Sequence, residues 1–210
     1  MNTMEAYRKF YEESALAGLA KGLWERFGGE SEKALMELCG KYAERILQDY
    51  QSLNNDAMQR HLCRSIAPTI GAYLALTEQG MDRGEAQTFL EGLFMQAAEK
   101  KRQVFHQMTE RPDFYAFFFN YGKQAMLQDY PQEYWDTEMV LDSDRAVAFN
   151  IRKCIYWEAC QRYGCPALCE IFCKSDLVAM EGVSPQIQFG RTQTIGTGGS
   201  CCDFSFTASQ

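Results

Sequence analysis

The residues best suited to chemistry lie near the end of the chain, between positions 189 and 206. This segment, FGRTQTIGTGGSCCDFSF, carries Arg191, three threonines, a glycine-rich turn, the Cys201–Cys202 pair and Asp203. A hairpin that is only structural has no need of an arginine, a thiol pair and a carboxylate so close together. Together with the stretch from Cys154 to Asp176, the segment holds seven of the nine cysteines. We therefore place the chemistry of the protein in these two segments.

A second set of reactive residues is spaced to share one face of a helix. Cys165, Cys169 and Cys173 recur every four residues, and Asp176 follows three residues later. Side chains at these spacings lie roughly on one helix face. Free cysteine packs like a small hydrophobe, so we interpret Cys165 and Cys169 as core residues. Asp176 needs a partner, because a carboxylate on an otherwise apolar face is costly to bury.

Arg191 is the clearest candidate for binding an anion. It lies on a β-patterned run, and its planar guanidinium suits a carboxylate. A structural ion pair with Asp176 or Asp203 is an equally good interpretation, and one arginine can do both. The glycine-rich loop is no phosphate-binding loop, because no Lys-Ser/Thr pair follows it.

The sequence favours neither a metal site nor a catalytic histidine. Structural zinc sites usually contain cysteine pairs separated by two to four residues, often with histidine. The adjacent pair Cys201–Cys202 is cramped for joint ligation, and both His61 and His106 lie far away in the chain. We expect no metal and no cofactor, and we interpret the two histidines as surface or capping residues.

Apolar residues at helical spacing predict helices over about the first 130 residues. The pattern predicts helices at Met4–Phe27, after an N-cap at Ser31, at Asn55–Gln79 with a kink or split at Pro68, at Asp82–Glu110, and from Pro112 to before Pro131. Lys100, Lys101 and Arg102 form the one compact basic run, which we interpret as a solvated face. Residues before about Tyr130 are not expected to carry a catalytic group.

The pattern changes after Tyr134. It predicts strands at Trp135–Leu141, Ala146–Ile151, Ile187–Ile195 and Cys202–Thr207, and helices at Cys154–Tyr163 and Pro166–Met180. The fold class expected is α+β: a helical N-terminal part with a small, mainly antiparallel sheet and two short helices in the C-terminal part. We expect a helical region over residues 1–131 and an α+β region with the active site over 132–210, packed as one unit.

Charge and hydropathy limit the classes of partner. The formal net charge of -7 argues against nucleic acid, since such proteins cluster Lys and Arg. No stretch reaches the roughly 18 apolar residues that a membrane span requires, and the N-terminus has no apolar signal region. We expect a cytoplasmic protein with reduced thiols. The apolar stripes of the helical region allow a homo-oligomer contact.

Three segments together resemble the L-2-amino-thiazoline-4-carboxylic acid hydrolase family. They are CIYWEACQRYGCPALCEIFCKSD, VSPQIQFGRTQT and GGSCCDFSF, and upstream FGGESEKALMELCGKYAERI is also similar. The family pattern has a cysteine after a strand, a Cys-x-x-Asp, an Arg-Thr-x-Thr and a terminal Cys-Asp-Phe. The matching positions are Cys154, Cys173 with Asp176, Arg191 with Thr192 and Thr194, and Cys202 with Asp203 and Phe204.

The resemblance implies hydrolysis of a small cyclic amidine that carries a carboxylate. Water adds to the carbon flanked by sulfur and nitrogen, the ring carbon–sulfur bond breaks, and N-carbamoyl-L-cysteine results. This chemistry needs a base, stabilisation of a tetrahedral intermediate and an acid for the departing thiolate. The resemblance offers Asp176 or Asp203 as base, Arg191 for the substrate carboxylate, Thr192 and Thr194 as hydrogen-bond donors, and Cys173 or Cys202 as nucleophile or acid, with Cys154 in the same set.

Two other interpretations remain. Similar cysteine-bearing α+β domains of the 4-vinyl-reductase type serve as small-molecule sensors, so the chain could be a ligand-binding module without activity. It could also be a structural homo-oligomer. A sensor domain is normally attached to an output domain, and none is recognisable in the sequence, so we favour the enzyme.

Overall fold

The computed structural model describes residues 2–209 and confirms the α+β class. The chain divides into two compact units, Met1–Ala97 and Ala98–Gln210. The division expected from the sequence, after residue 131, remains a proposal. No helix among the described residues is long and apolar enough to cross a membrane.

The first unit is helical. Its helices are α1 (Thr3–Glu12), α2 (Leu19–Phe27), α3 (Gly29–Asp49), α4 (Asp56–His61), α5 (Ala67–Glu78) and α6 (Arg83–Met108), of which α6 continues into the second unit. Asn55 caps α4 by accepting a hydrogen bond from the Met58 N–H at 3.1 Å. The split predicted near Pro68 is present, because a π-helical turn at Leu62–Ile66 separates α4 from α5.

Two predicted helix boundaries in this unit are wrong. The single helix expected over Met4–Phe27 is broken into α1 and α2, because the Ser14 hydroxyl accepts the Leu16 N–H and donates to the Tyr11 carbonyl. Helix α3 begins at Gly29 and not after Ser31. Its N-cap is Gly28, whose φ of 80° favours glycine over any other residue.

The second unit adds α7 (Phe114–Ala116), α8 (Lys123–Asp129), α9 (Gln132–Trp135), α10 (Ile155–Arg162) and α11 (Cys169–Met180) to a four-stranded sheet. A π-helical turn, Phe117–Gly122, joins α7 to α8, and short 3-10 turns at Pro166–Leu168 and Glu181–Val183 flank α11. The strands are β1 (Thr137–Asp142), β2 (Ala146–Ile151), β3 (Ile187–Gly190) and β4 (Cys202–Ala208).

The sheet is antiparallel throughout, in the order β1-β2-β4-β3. Alternate residues of β2 are buried, as expected when one face of a sheet is covered. On that face the ring of Phe206 lies 6.2 Å from Phe149 and 5.7 Å from Phe118. The pairing of Ile151 with Cys202 brings the end of β2, which precedes α10, beside the start of β4.

Strand β3 is shorter than predicted, and this changes the setting of the site. The strand was expected to reach Ile195 but ends at Gly190, so Arg191, Thr192 and Thr194 lie in a loop and not on one face of a strand. The side chain of Asp203 accepts the N–H groups of Thr192 and Gln193, so these two groups bond to a carboxylate and not to a strand partner. We refer to residues 191–201 as the site loop.

Candidate functional site

Helix α11 and the site loop form the core of the candidate site. Cys169, Cys173 and Asp176 lie at i, i+4 and i+7 of the same helix. Thr194 caps a 3-10 turn, Ile195–Thr197, that contacts α11. A Cβ atom on Gly196 would lie 3.0 Å from both the Cys169 Sγ and the Cys173 Sγ. The loop backbone therefore packs closely on these two thiols, and any larger residue at position 196 would have to displace them slightly.

Five thiols form a connected cluster under this loop. Cys169 lies at its centre and makes side-chain hydrogen bonds with Cys154, Cys160 and Cys173. Cys160 also bonds to Cys165, which precedes α11 and is not part of it. All five cysteines are free thiols. The packing of α10 against α11 therefore adds Cys154 and Cys160 to the helix-face series predicted from the sequence.

Two thiols of the cluster have a lowered pKa. Hydrogen bonds with Cys165 and Cys169 lower the pKa of Cys160 to about 5, but Cys160 is fully buried, whereas Cys173 is partly exposed and close to the charge of Arg191. The hydrogen bond with Cys169 lowers the pKa of Cys173 to about 7, and the Thr194 hydroxyl and the Arg191 charge act in the same direction against burial and the Asp176 charge. Hydrogen bonds with three thiols and burial raise the pKa of Cys169. Cys169 therefore stays protonated and can donate a hydrogen bond to a Cys173 thiolate.

Arg191 is a buried cation that bonds to the middle of α11. Its side chain is 5% exposed, and it donates to Asp176 Oδ2 at 3.1 Å and to the Cys173 carbonyl oxygen at 2.7 Å. The guanidinium carbon also lies 5.4 Å from the centre of the Phe204 ring. Of the two carboxylates considered from the sequence, Arg191 thus pairs with Asp176 and not with Asp203.

Asp176 is a carboxylate whose protonation is easier than usual. Its side chain is 34% exposed, and burial raises the pKa of Asp176 despite the opposing charges of Arg191 and Lys101. The Tyr130 phenol lies close enough to Asp176 to feel its charge. Burial is the main cause of a raised pKa at Tyr130, and the charges of Asp176, Asp129 and Cys154 raise it further. Asp176 therefore combines an ion pair with the raised pKa that suits a group exchanging protons.

Asp203 organises the site loop. Its Oδ1 accepts the N–H groups of Thr192 at 3.0 Å and Gln193 at 2.8 Å, and its Oδ2 accepts the Thr192 hydroxyl at 2.5 Å. Burial opposes ionisation, but these hydrogen bonds outweigh it and lower the pKa of Asp203. The carboxylate is thus a weak base with its lone pairs engaged, which fits an anchor for the loop better than a proton acceptor.

Asp203→Asn is expected to destabilise the fold by about 1 kcal/mol at pH 7, because charge-assisted hydrogen bonds to the loop are lost. Because the pKa of Asp203 is lower in the folded state than in the unfolded state, the ionised carboxylate stabilises the fold at pH values above the unfolded pKa of about 3.9. This stabilisation is lost as the pH falls through the folded pKa. The gap between wild type and variant in urea unfolding should therefore narrow as the pH falls below about 4 and close below the folded pKa. Asp144→Asn, at an exposed turn residue, is the control. A gap that is as large at pH 3 as at pH 7 would contradict the ionic role.

Cys202 is a buried thiol beside this cluster, and its neighbour in the chain, Cys201, is also buried. The Cys202 Sγ accepts the Ile195 N–H at 3.2 Å, and burial raises the pKa of Cys202 to about 12. A thiol that stays protonated at neutral pH is a poor nucleophile. Cys202 thus lies at the site but is better suited to holding the loop than to attacking a substrate.

The site draws on two residues that the sequence did not indicate, Tyr130 and Lys101. Tyr130 follows α8 and precedes Pro131, and no local pattern marks it. Lys101 belongs to the run interpreted as a solvated face, and it is exposed, but its charge acts on Asp176. The place of each of these two residues in the site depends on contacts between residues far apart in the chain.

The remaining sequence candidates are distributed as follows. Within the described residues, no group of three or more His, Cys, Asp or Glu side chains has an arrangement that could hold a metal ion. Two open depressions lie in the first unit, one beside Tyr42 and Glu78 and one beside Arg26 and Phe89, and neither contains a predicted site residue. The structure instead brings together Cys154, Cys173, Asp176, Arg191, Thr194 and Cys202, with Thr192 and Asp203 at the outer side of the loop.

A comparison with protein families places the sequence in a known group. The sequence model described as L-2-amino-thiazoline-4-carboxylic acid hydrolase matches residues 59–206. The chain belongs to this family. The match confirms the resemblance seen in the sequence and includes Lys101, Tyr130, the thiol cluster and the site loop. Neither a curated protein nor a solved structure gave a match.

Proposed function

We propose that the protein is a hydrolase that opens a small cyclic amidine carrying a carboxylate, such as 2-amino-thiazoline-4-carboxylate, to N-carbamoyl-cysteine. One observation carries this proposal. The thiol of Cys173 has its pKa lowered to about 7, and it lies one helical turn from Asp176, a carboxylate with a raised pKa held by Arg191. A thiolate beside an ionised carboxylate matches a cationic amidine, and membership of the family supports this class of substrate.

In the first step, the Cys173 thiolate adds to the ring carbon between sulfur and the two nitrogens. The bond from that carbon to the ring sulfur then breaks, and the sulfur leaves as a thiolate that takes up a proton. The product of this step is an S-linked isothiourea on Cys173. Asp176 faces the positive charge of the amidine and orients it toward the thiolate.

In the second step, water adds to the same carbon while Asp176 accepts one of its protons. The tetrahedral intermediate expels the Cys173 thiolate, and the released product carries a urea group in place of the amidine. The two steps together consume one water molecule, and no atom changes its oxidation state. Cys169 can donate a hydrogen bond to the Cys173 thiolate each time that it forms.

Arg191 acts as a positioning residue in this proposal, because its guanidinium already bonds to Asp176 and to the Cys173 carbonyl oxygen. The interpretation of Arg191 as the site for the substrate carboxylate stays a prediction. The Thr194 hydroxyl, in the site loop, hydrogen-bonds to the Cys173 sulfur and favours its thiolate form. The hydrogen bond between Asp203 and Thr192 keeps the site loop in place.

The proposal is tested by incubating the purified full-length protein with L-2-amino-thiazoline-4-carboxylate and following N-carbamoyl-cysteine by chromatography and the new thiol by a colorimetric reagent. We expect one new thiol group for each molecule of N-carbamoyl-cysteine, because this single product carries the former ring sulfur, and we expect saturation kinetics. Saturable binding of the thiazoline without product would favour the sensor interpretation. Failure to bind or convert any thiazoline would reject the proposed substrate class.

A further inference from the structure

The cation that recognises the substrate carboxylate should be accessible, and Arg191 is not the best placed for this task. Its side chain is 5% exposed, and its nitrogens already donate to Asp176 and to the Cys173 carbonyl oxygen. Recruiting it for a ligand would cost part of its interactions with Asp176 and with the Cys173 carbonyl oxygen. A second cation that faces solvent near Asp176 would avoid this cost.

Helix α6 brings such a cation to the site. A Cβ atom on Gly182, just after α11, would lie 2.2 Å from the Arg102 carbonyl oxygen and 2.8 Å from the Phe105 Cβ. Only glycine permits this approach, so the last turns of α6 are held directly against the end of α11. Residues of the basic run at Lys100–Arg102 are therefore fixed beside the helix that carries Asp176.

Within this run, Lys101 is the residue directed to the site. Its Nζ lies 5.4 Å from the centre of the Phe105 ring, which restricts the side chain, and its charge is close enough to act on Asp176. Lys101 is exposed, so its ammonium remains open to a ligand. Lys100 is also exposed but lies about 100° away around the helix.

We propose that Lys101 binds the carboxylate of the substrate and thereby sets the specificity of the site for amidines that carry an acid group. Asp176 and Lys101 present a negative and a positive charge side by side, outside the buried Arg191. This pattern is complementary to a small zwitterion whose amidinium and carboxylate are held close together on one ring. This inference rests on the proposed function only for the amidine part of the substrate. Binding of a carboxylate by Lys101 does not depend on it.

The test compares Lys101→Gln with Lys100→Gln, using the thiazoline carboxylate and its neutral carboxamide as substrates. Lys101→Gln is expected to raise KM for the carboxylate about fivefold while kcat and the kinetics of the carboxamide change little, since an exposed ion pair contributes modestly. Lys101→Arg should retain most of the affinity. Lys100→Gln should match wild type on both substrates. An equal effect of Lys101→Gln on both substrates, or none on either, would overturn the inference.

A binding experiment keeps this inference separate from the proposed function. L-Thiazolidine-4-carboxylate has the same carboxylate on a saturated ring without an amidine, so it cannot be hydrolysed by the proposed route. Calorimetry should show binding to wild type and to Lys100→Gln, weakened about fivefold in Lys101→Gln. If no thiazoline is turned over but this difference is found, the hydrolase proposal fails and the carboxylate site stands. If turnover is found without this difference, the carboxylate site fails alone.

Discussion

Cys173→Ser is expected to lower kcat/KM for the thiazoline by about 10³-fold or more, which corresponds to about 4 kcal/mol of transition-state stabilisation. A serine hydroxyl keeps its proton at neutral pH, so the proposed attack on the amidine carbon loses its nucleophile. The substitution is nearly the same size, so the contact with Gly196 and the hydrogen bond to Thr194 can persist. Steady-state kinetics with circular dichroism as a check on folding measure the effect.

Cys63→Ser is the matched control for this change. Cys63 is a half-buried free thiol in the π-helical turn of the first unit, and its loss should leave kcat/KM within about twofold. A second variant, Cys173→Ala, removes any residual reactivity of the serine. Wild-type turnover in a folded Cys173→Ser protein would mean that water attacks directly or that another residue is the nucleophile.

Asp176→Asn is expected to reduce kcat/KM about a hundredfold and also to move its pH profile. The negative charge of Asp176 raises the pKa of Cys173, and the net value of about 7, set mainly by the hydrogen bond with Cys169, already includes this effect. Removing that charge therefore favours the thiolate, and the acid limb of kcat/KM should move to lower pH. The variant is thus slower at every pH but keeps its residual activity further into the acid range.

Asp203→Asn separates this effect from a general loss of structure. Asp203 bonds to Thr192 and Gln193 and is not among the groups that act on the Cys173 thiol, so the acid limb should stay in place. The decisive comparison is of the two profiles between pH 5 and pH 9. An acid limb that moves to higher pH in Asp176→Asn would contradict the arrangement of charges described above.

The sequence predicts the elements well where the side-chain pattern alone decides them. The spacing of Cys169, Cys173 and Asp176 predicts one helix face, and α11 presents them in this way. The end of β3 was not predictable from its own residues, because it depends on Asp203, a side chain on another strand that accepts the N–H groups of Thr192 and Gln193. A side chain that takes the place of a neighbouring strand as hydrogen-bond acceptor does not change the alternation of apolar and polar residues from which strands are predicted.

The membership of the site was only partly predictable for the same reason. Cys154 and Cys160 join the thiol cluster through the packing of α10 on α11, and no local spacing announces that contact. Lys101 was interpreted as part of a solvated face, and it is solvated, but the glycine at position 182 holds its helix against the end of α11. Contacts between distant segments decide which residues belong to the site. The periodicity of apolar residues indicates only local structure along the chain, so it cannot predict these contacts.

The role of Cys173 is tested most directly by limited alkylation with iodoacetamide at pH 7. Peptide mass spectrometry reports which cysteine is modified, and residual activity is measured on the same samples, with and without saturating thiazoline. Because Cys173 combines a pKa of about 7 with partial exposure, it should be modified before the buried Cys165, Cys169 and Cys202. Activity is expected to fall in proportion to the fraction of Cys173 that is modified, and substrate should protect both the Cys173 thiol and the activity. Full activity in protein whose Cys173 is completely alkylated would contradict the proposed role of Cys173.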